Sequence, residues 1–317
     1  MPDTEDLVQS LANLATGYQP RGEILPLDTP PRNELIKSSI ATAARIWPWF
    51  DECFIRPELV ETAGVATFMV VEDGRLRVFE ASGAVAAAIV GVENRKPLAK
   101  AEASVYQDEL VKLTERTAKD LAESRLTADE ELRFERLWRM KAQGVTFKGE
   151  RSAVALLQAT GAFRRYVQGL PVLGRASINV TLGGANAAVT RWGIDWRRVG
   201  GKAIGDIDLV EPVEGARRAR ADLQRRRPER PVTLADFSPR ALQLGYVSLP
   251  RRQAQSLLEP AWVAILDPAG KQTSMGEVIA VPAAPDRSEP LFRPWRRARA
   301  QEGRSPPYAS ASPAIPS

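Results

Sequence analysis

Apolar positions recur at two spacings along the 317-residue chain, and the switches between them predict its elements. Near the start, Leu7, Leu11 and Leu14 lie three or four apart behind a possible Asp3 or Thr4 cap, which predicts a short helix over residues 1–16. GYQPRGEILPLDTPP follows as a proline-punctuated connector that cannot continue a regular helix. NELIKSSIATAARIW returns to helical spacing through Leu35, Ile36, Ile40, Ala43, Ala44 and Trp47 and is stopped by Pro48. Trp47, Trp49 and Phe50 read as core anchors.

From residue 64 the period becomes two. ATFMVV and RLRVFE flank Asp73-Gly74, a hairpin signal in which Leu76 and Val78 alternate with Arg75 and Arg77. ASGAVAAAIVGV is a third apolar run. Residues 101–124 carry Val105, Leu110, Val111, Leu113, Thr117 and Leu121 among many charges and predict an amphipathic helix. LTADEELRFERLWRMKAQG, contested over 127–143, supports two readings. Thr127 and Glu130 form a capping box and local propensity favours helix, while Phe134, Arg136, Trp138 and Met140 share the parity of a long exposed strand.

After Gly149 the strand pattern persists. SAVALLQATGAFRRYVQG makes one long strand or two short ones. In ASINVTL the residues Ile178, Val180 and Leu182 point inward, and AVTRWGIDWRRV puts Trp192, Ile194 and Trp196 on one face, giving an antiparallel meander. Pro212 opens a helix with acids in its first turn, arginines towards its end, and a stripe of Val213, Ala216, Ala219 and Leu223. VTLADF, RALQLGYVSL, AWVAILDP and GEVIAVPA supply further strands. Beyond residue 284 the chain is dense in Pro, Ser, Ala and Arg and reads as a disordered tail.

The order predicts an α+β fold: two antiparallel sheets, each packed with a helix, behind a helical N-terminal extension. The boundaries fall at 1–58 for the extension, 59–150 and 151–283 for the two units, and 284–317 for the tail. The pattern fits an approximate internal duplication.

Within this frame RRYVQGLPVLGRASINVTLGGANAAVTRWGIDWRRV resembles the PepSY and thermolysin-propeptide (FTP) type of module, a cystatin-like α+β unit. There a strand ending in Gly-[Val/Ile/Leu]-Pro-Val turns through a glycine into an alternating strand, ahead of a tryptophan-bearing one. LQLGYVSLPRRQAQSLLEPAWVAIL and GRLRVFEASGAV extend the resemblance to about residues 60–283 of a two-unit bacterial protein. It implies a strand over the contested 127–143 segment and an inhibitory, chaperone-like or regulatory role towards another protein. It also suggests an extracytoplasmic setting, whereas the acidic N-terminus carries no secretory signal and reads as cytoplasmic.

Composition narrows the chemistry. The chain has no histidine, which removes imidazole bases, Ser-His-Asp and Cys-His pairs, and histidine-ligated metals. Cys53 stands alone, so neither an intrachain disulfide nor a cysteine zinc cluster is expected, and it reads as a small apolar residue. No cofactor and no metal site is expected, and no apolar run is long enough to span a membrane. The net charge of +5 allows acidic partners without requiring them.

The candidates divide into three classes. The leading reading is a non-enzymatic protein-binding or regulatory module acting through its sheet surface and tail. Arg164, Tyr166, Arg191, Trp192 and Trp196 are its sheet contacts, and Trp295, Arg296 and Arg297 form a short docking motif in the tail. The alternative is a cofactor-independent enzyme in a cavity between the sheets, using Asp195, Tyr166 and Tyr246 for acid–base work. Nucleic acid is a weaker third partner. Arg217, Arg218, Arg220, Arg225, Arg226, Arg227 and Arg230 form the densest basic run, with Arg164, Arg165, Arg191, Arg197 and Arg198 as a possible extension. Interspersed acids and missing aromatics favour a solvated, ion-paired helix face. Asp195, Asp206, Asp208 and Glu211 lie close in sequence but match no EF-hand spacing. Gly169-Leu170-Pro171-Val172 and Gly174 read as a structural corner between two strands.

Overall fold

The computed structural model describes residues 2–50, 65–70, 74–89, 97–100, 106–123, 125–174, 176–195, 197–229, 232–269 and 276–286. In chain order the elements are α1 (Pro2–Ala12), β1 (Ala15–Thr16), β2 (Arg21–Asp28), α2 (Arg32–Ile46), a 3-10 turn (Pro48–Phe50), β3 (Val65–Val70), β4 (Gly74–Phe79), β5 (Ala84–Ile89) and β6 (Ala99–Lys100). They continue with α3 (Tyr106–Ala122), β7 (Glu130–Ala142), β8 (Ala155–Val167), β9 (Leu170–Gly174), β10 (Ser177–Gly183), β11 (Ala188–Ile194), β12 (Arg198–Val199) and β13 (Gly205–Asp208). Last come α4 (Pro212–Arg226), β14 (Phe237–Ser248), β15 (Leu257–Leu258), β16 (Pro260–Pro268) and β17 (Glu277–Pro282). The protein is α+β with two antiparallel-rich sheets, as the hydrophobic pattern predicts.

The larger sheet runs β17-β16-β14-β9-β8-β10-β11-β5-β4-β3, with β1, β6 and β7 attached beside it. Its ladders are antiparallel except β14–β9 and β1–β14. This path passes through the expected boundary at residue 150, because β5 pairs with β11. α3 packs on β8 and β10, while α4 packs on β16, β17 and α1, so a helix covers each half of the sheet. The smaller sheet centres on β2, flanked by β12, β13 and β15. The proline-rich connector read from the sequence is thus a strand. Pro20 lies before it, Pro30 and Pro31 lie beyond it, and Pro26, inside it, faces Leu257 of β15.

The contested 127–143 segment is strand. Its capping-box composition is outweighed by a full-length antiparallel ladder with β8. Tertiary contacts fix the choice: Glu130 is buried and paired to Arg165 at 2.5 Å, and the Phe134 ring meets Phe163 edge-on at 5.5 Å. As a helix the segment would lose the backbone ladder along β8 and leave Arg165 buried without its carboxylate. Helix limits follow the sequence signals. Trp47 before Pro48 takes an extended conformation (φ −125°, ψ 92°), and Pro212 occupies the first turn of α4.

The Gly-Leu-Pro-Val-Leu-Gly stretch has more structure than a corner. Gln168 (φ 51°) and Gly169 (φ 76°) both adopt left-handed conformations, making a two-residue turn between β8 and β9. β9 then pairs in parallel with β14 through Tyr246–Val172, Val247–Leu173 and Ser248–Gly174. The segment is the strand that joins the two halves of the large sheet. Gly174 (φ 87°) ends it, and a Cβ there would lie 2.5 Å from the Ser248 carbonyl oxygen.

Tyr246 secures the same joint. Its hydroxyl donates to the Glu23 carbonyl of β2 at 3.2 Å and lies 3.0 Å from the Gln168 amide oxygen, while the Gln168 amide nitrogen donates to the Glu23 carboxylate. The core is continuous, from Leu7 and Leu11 of α1 through Trp192 and Phe163 to Trp262 and Leu266. Ile178, Val180 and Leu182 are buried as the alternation predicts. Among the described residues, no helix is long and apolar enough to cross a membrane.

Candidate functional site

Strand by strand, the ladder register gathers residues far apart in sequence into rows across the face of the sheet opposite α3. One row runs Arg75–Ala88–Arg191–Thr181–Thr160–Trp138, each residue opposite the next. The adjacent row runs Arg77–Ala86–Gly193–Asn179–Ala162–Arg136. Alternation explains the composition. Leu76, Val78, Val85, Ile178, Val180 and Ile194 take the core side, and the intervening residues fall on this face. The result is a floor of alanine, glycine and hydroxyl side chains between arginines. Thr160 and Thr181 are hydrogen-bonded across it at 2.9 Å.

Part of the floor is a depression of about 450 Å³ lined by Arg75, Arg77, Arg191, Arg251, Asp195 and the small residues between them. Arg75, Arg77 and Arg191 are exposed and make no ion pair among the described residues. Arg251 donates to the Asp195 carboxylate at 2.7 Å and lies 4.7 Å over the Phe79 ring, which covers that part of the face.

A buried network sets the position of Arg251. Arg197 donates to Ser248 Oγ (3.2 Å), to the carbonyls of Leu249 (3.0 Å) and Pro250 (3.2 Å), and to the carbonyl of Gln253. Its own carbonyl accepts from Arg165 at 2.7 Å, and Arg165 is held bidentately by Glu130. Burial pushes the Arg197 guanidinium down to about 10. Thus Glu130, Arg165 and Arg197 shape the 248–253 loop from beneath, and Arg251 leaves it towards Asp195.

The sequence-derived candidates separate on this framework. Arg191, Trp192 and Asp195 line the depression. Arg164 is on the same face further across, paired with Glu135 at 2.5 Å, and Tyr166 lies beneath the Arg133 guanidinium at 4.0 Å. Trp192 is a core residue, 1% exposed, its ring 6.1 Å from Trp47. At that burial it supports the face from behind more than it offers a ring to it. Arg165 and Arg197 do not extend a surface patch either, being 1% and 2% exposed. Trp196, Trp295, Arg296, Arg297, Arg230 and Cys53 lie outside the described residues.

The acid–base trio does not assemble. Asp195 lies in the depression beside Arg251, whereas Tyr166 is on β8 and Tyr246 is buried at the junction with the small sheet. Burial pushes the Tyr246 phenol up to about 12, which suits a hydrogen-bonding strut better than a proton shuttle. Asp206 and Asp208 are on β13, Asp208 in an exposed pair with Arg21 at 3.4 Å.

Sequence reading missed Arg75, Arg77 and Arg251. The first two show a signal, since they are the polar partners of the Leu76/Val78 alternation; their alignment with Arg191 needs the register.

No family model matches the chain, and no curated protein does. A solved structure is similar in outline. It is an uncharacterized protein from Eubacterium rectale ATCC 33656, with TM-score 0.49, 12% sequence identity and 88% of each chain covered.

Proposed function

We propose that this protein is a non-catalytic binding module whose open sheet face receives an acidic segment of another protein. One observation carries the reading: Arg75, Arg77 and Arg191, from two strands more than a hundred residues apart, stand together over a small-residue floor with no carboxylate paired to them among the described residues. The resemblance of residues 60–283 to PepSY-type modules supports the same class.

The spacing suits an extended chain. Arg75 and Arg77 are two apart on one strand, about 7 Å, and Arg75 and Arg191 are two strands apart, about 10 Å. Carboxylates two residues apart on an extended peptide share one face about 7 Å apart, which matches Arg75 and Arg77. The small floor lets a backbone approach. Nucleic acid is disfavoured by the aromatics, because Tyr166 and Trp138 already carry the Arg133 and Arg136 guanidinium groups over their planes, at 4.0 and 4.4 Å.

The test is fluorescence anisotropy with a labelled oligoglutamate peptide and a single-stranded oligonucleotide of equal charge. Each exposed arginine contact contributes about 0.5–1 kcal/mol, so Arg75→Ala/Arg77→Ala/Arg191→Ala together should weaken the peptide roughly 10- to 100-fold. Equal affinity of wild type and triple variant for the peptide would sink the proposal. Tighter binding of the oligonucleotide would transfer the face to nucleic acid.

A further inference from the structure

A second concavity, of about 660 Å³, lies on the other side of the molecule's first half, between α2, the end of β2 and the turn before β5. Its apolar wall is Pro30, Pro31 and Leu35, and Arg125 enters it just beyond α3. Arg125 is half-buried and donates one bond, from Nη1 to the Gly83 carbonyl at 3.0 Å. Among the described residues no carboxylate pairs with it. Burial without a counter-charge pushes this guanidinium down to about 10. A desolvated cation normally acquires a carboxylate partner, because an uncompensated one is costly.

The neighbouring charges point to the kind of anion. Arg45, on the rim, is already engaged by Glu123 at 3.8 Å and by the Asp120 carbonyl at 2.7 Å. Arg198 stands opposite Asp28 across the β12–β2 ladder, and Glu34 lines the cleft from the first turn of α2. Asp28 and Glu34 on the walls disfavour a phosphate dianion over a monoanion, and Arg125, more buried than the exposed Arg198, presents a single carboxylate with a guanidinium that no described carboxylate holds. The planar guanidinium fork suits that geometry, and the Pro30, Pro31 and Leu35 wall suits a short apolar body.

We propose that this cleft binds a small apolar carboxylate, held by Arg125 against the wall of Pro30, Pro31 and Leu35. The same chemistry exists in a free organic acid and in the C-terminus of a peptide.

The full chain is titrated at constant ionic strength with N-acetyl-alanine, N-acetyl-alanine amide, inorganic phosphate and an acetylated tetrapeptide ending in a free alanine. The readout is the arginine side-chain N–H signal that Arg125→Lys removes from the NMR spectrum. N-acetyl-alanine should shift it and saturate, the amide should not, and phosphate should bind more weakly. Arg125→Gln should weaken the acid about 10-fold or more. If that variant fails to fold, Arg125→Lys, which keeps the charge but loses the fork, should still weaken it several-fold. Tighter binding of the tetrapeptide assigns the cleft to chain termini, and equal or weaker binding assigns it to free acids. An unmoved Arg125 signal, or equal response to the acid and its amide, overturns the proposal.

Discussion

Helix α4 and the open face of the large sheet are both rich in arginine, and they use it in opposite ways. On α4 the charge is spent locally. Glu214 holds Arg217 and Arg218, each at 3.0 Å, Asp222 holds Arg225 and Arg226, and Glu277 of β17 reaches Arg227 at 3.1 Å. Burial acts against ionisation of Glu214, yet hydrogen bonds from Arg218 and Arg217 keep its carboxyl below the ordinary range. Arg218 also donates to the carbonyls of Pro282 and Ala284, at 3.2 and 2.6 Å, so it fastens the chain after β17. On the sheet, Arg75, Arg77 and Arg191 lie among alanine, glycine and threonine. A dense run in sequence is therefore poor evidence of available charge. Dispersed residues gathered by strand register are better evidence, because no carboxylate among the described residues neutralises them.

The largest expected effect lies beneath the sheet face. Glu130→Gln leaves Arg165 buried without its carboxylate and should lower unfolding free energy by about 3–5 kcal/mol, measured by urea denaturation. A loss under 1 kcal/mol would mean that the pair does not organise the loop carrying Arg251. Next comes the junction of the sheets. Tyr246→Phe removes one buried hydrogen-bonding group and should cost about 1–2 kcal/mol at neutral pH.

The pH dependence of that variant is specific. The folded phenol has its pKa raised from 10.0 to about 12, so its contribution is complete below pH 10 and is lost as pH rises through 12. Arg197, lowered to about 10, acts with the opposite sign over the same alkaline range. The difference between wild type and Tyr246→Phe therefore isolates the phenol and should narrow above pH 10.

Asp222→Asn tests the comparison from the helix side. Asp222 is 4% exposed and faces Arg225 and Arg226, so its loss should cost about 1 kcal/mol and release Arg225, while Arg226 keeps Glu277 at 3.9 Å. The variant should bind polyanions more strongly than wild type, weakly and with a strong salt dependence. No gain in retention on an anionic resin would show that the helix arginines are restrained by more than their acids.

Much of the architecture was legible in the pattern. Leu76 and Val78, Ile178, Val180 and Leu182, and Ala216, Ala219 and Leu223 are buried as their spacing requires. β7 was not settled, because its choice between helix and strand depends on Arg165 and Phe163 some thirty residues away. β2 was read as a connector, since prolines mark breaks equally well beside a strand. The role of β9 was hidden because its parallel partner, β14, lies more than seventy residues on. Arg191 and Asp195 were identifiable as polar positions in a meander; the depression they share with Arg75 and Arg77 exists only through the β4–β5–β11 ladders.

The smallest expected effect carries the sharpest test. Arg75, Arg77 and Arg191 are exposed and make no ion pair among the described residues, so their removal costs no partner its counter-charge. Surface substitutions of this kind stay within about 0.5 kcal/mol each. Relief of like-charge crowding among the three guanidinium groups should offset the lost packing of their stems. The triple alanine variant should therefore unfold at the same urea concentration as wild type, or slightly higher, with an unchanged m-value. That outcome beside a roughly 10- to 100-fold loss of acidic-peptide affinity separates a binding role from a structural one. A clear loss of stability would place these arginines with those of α4, as charges that the fold itself consumes.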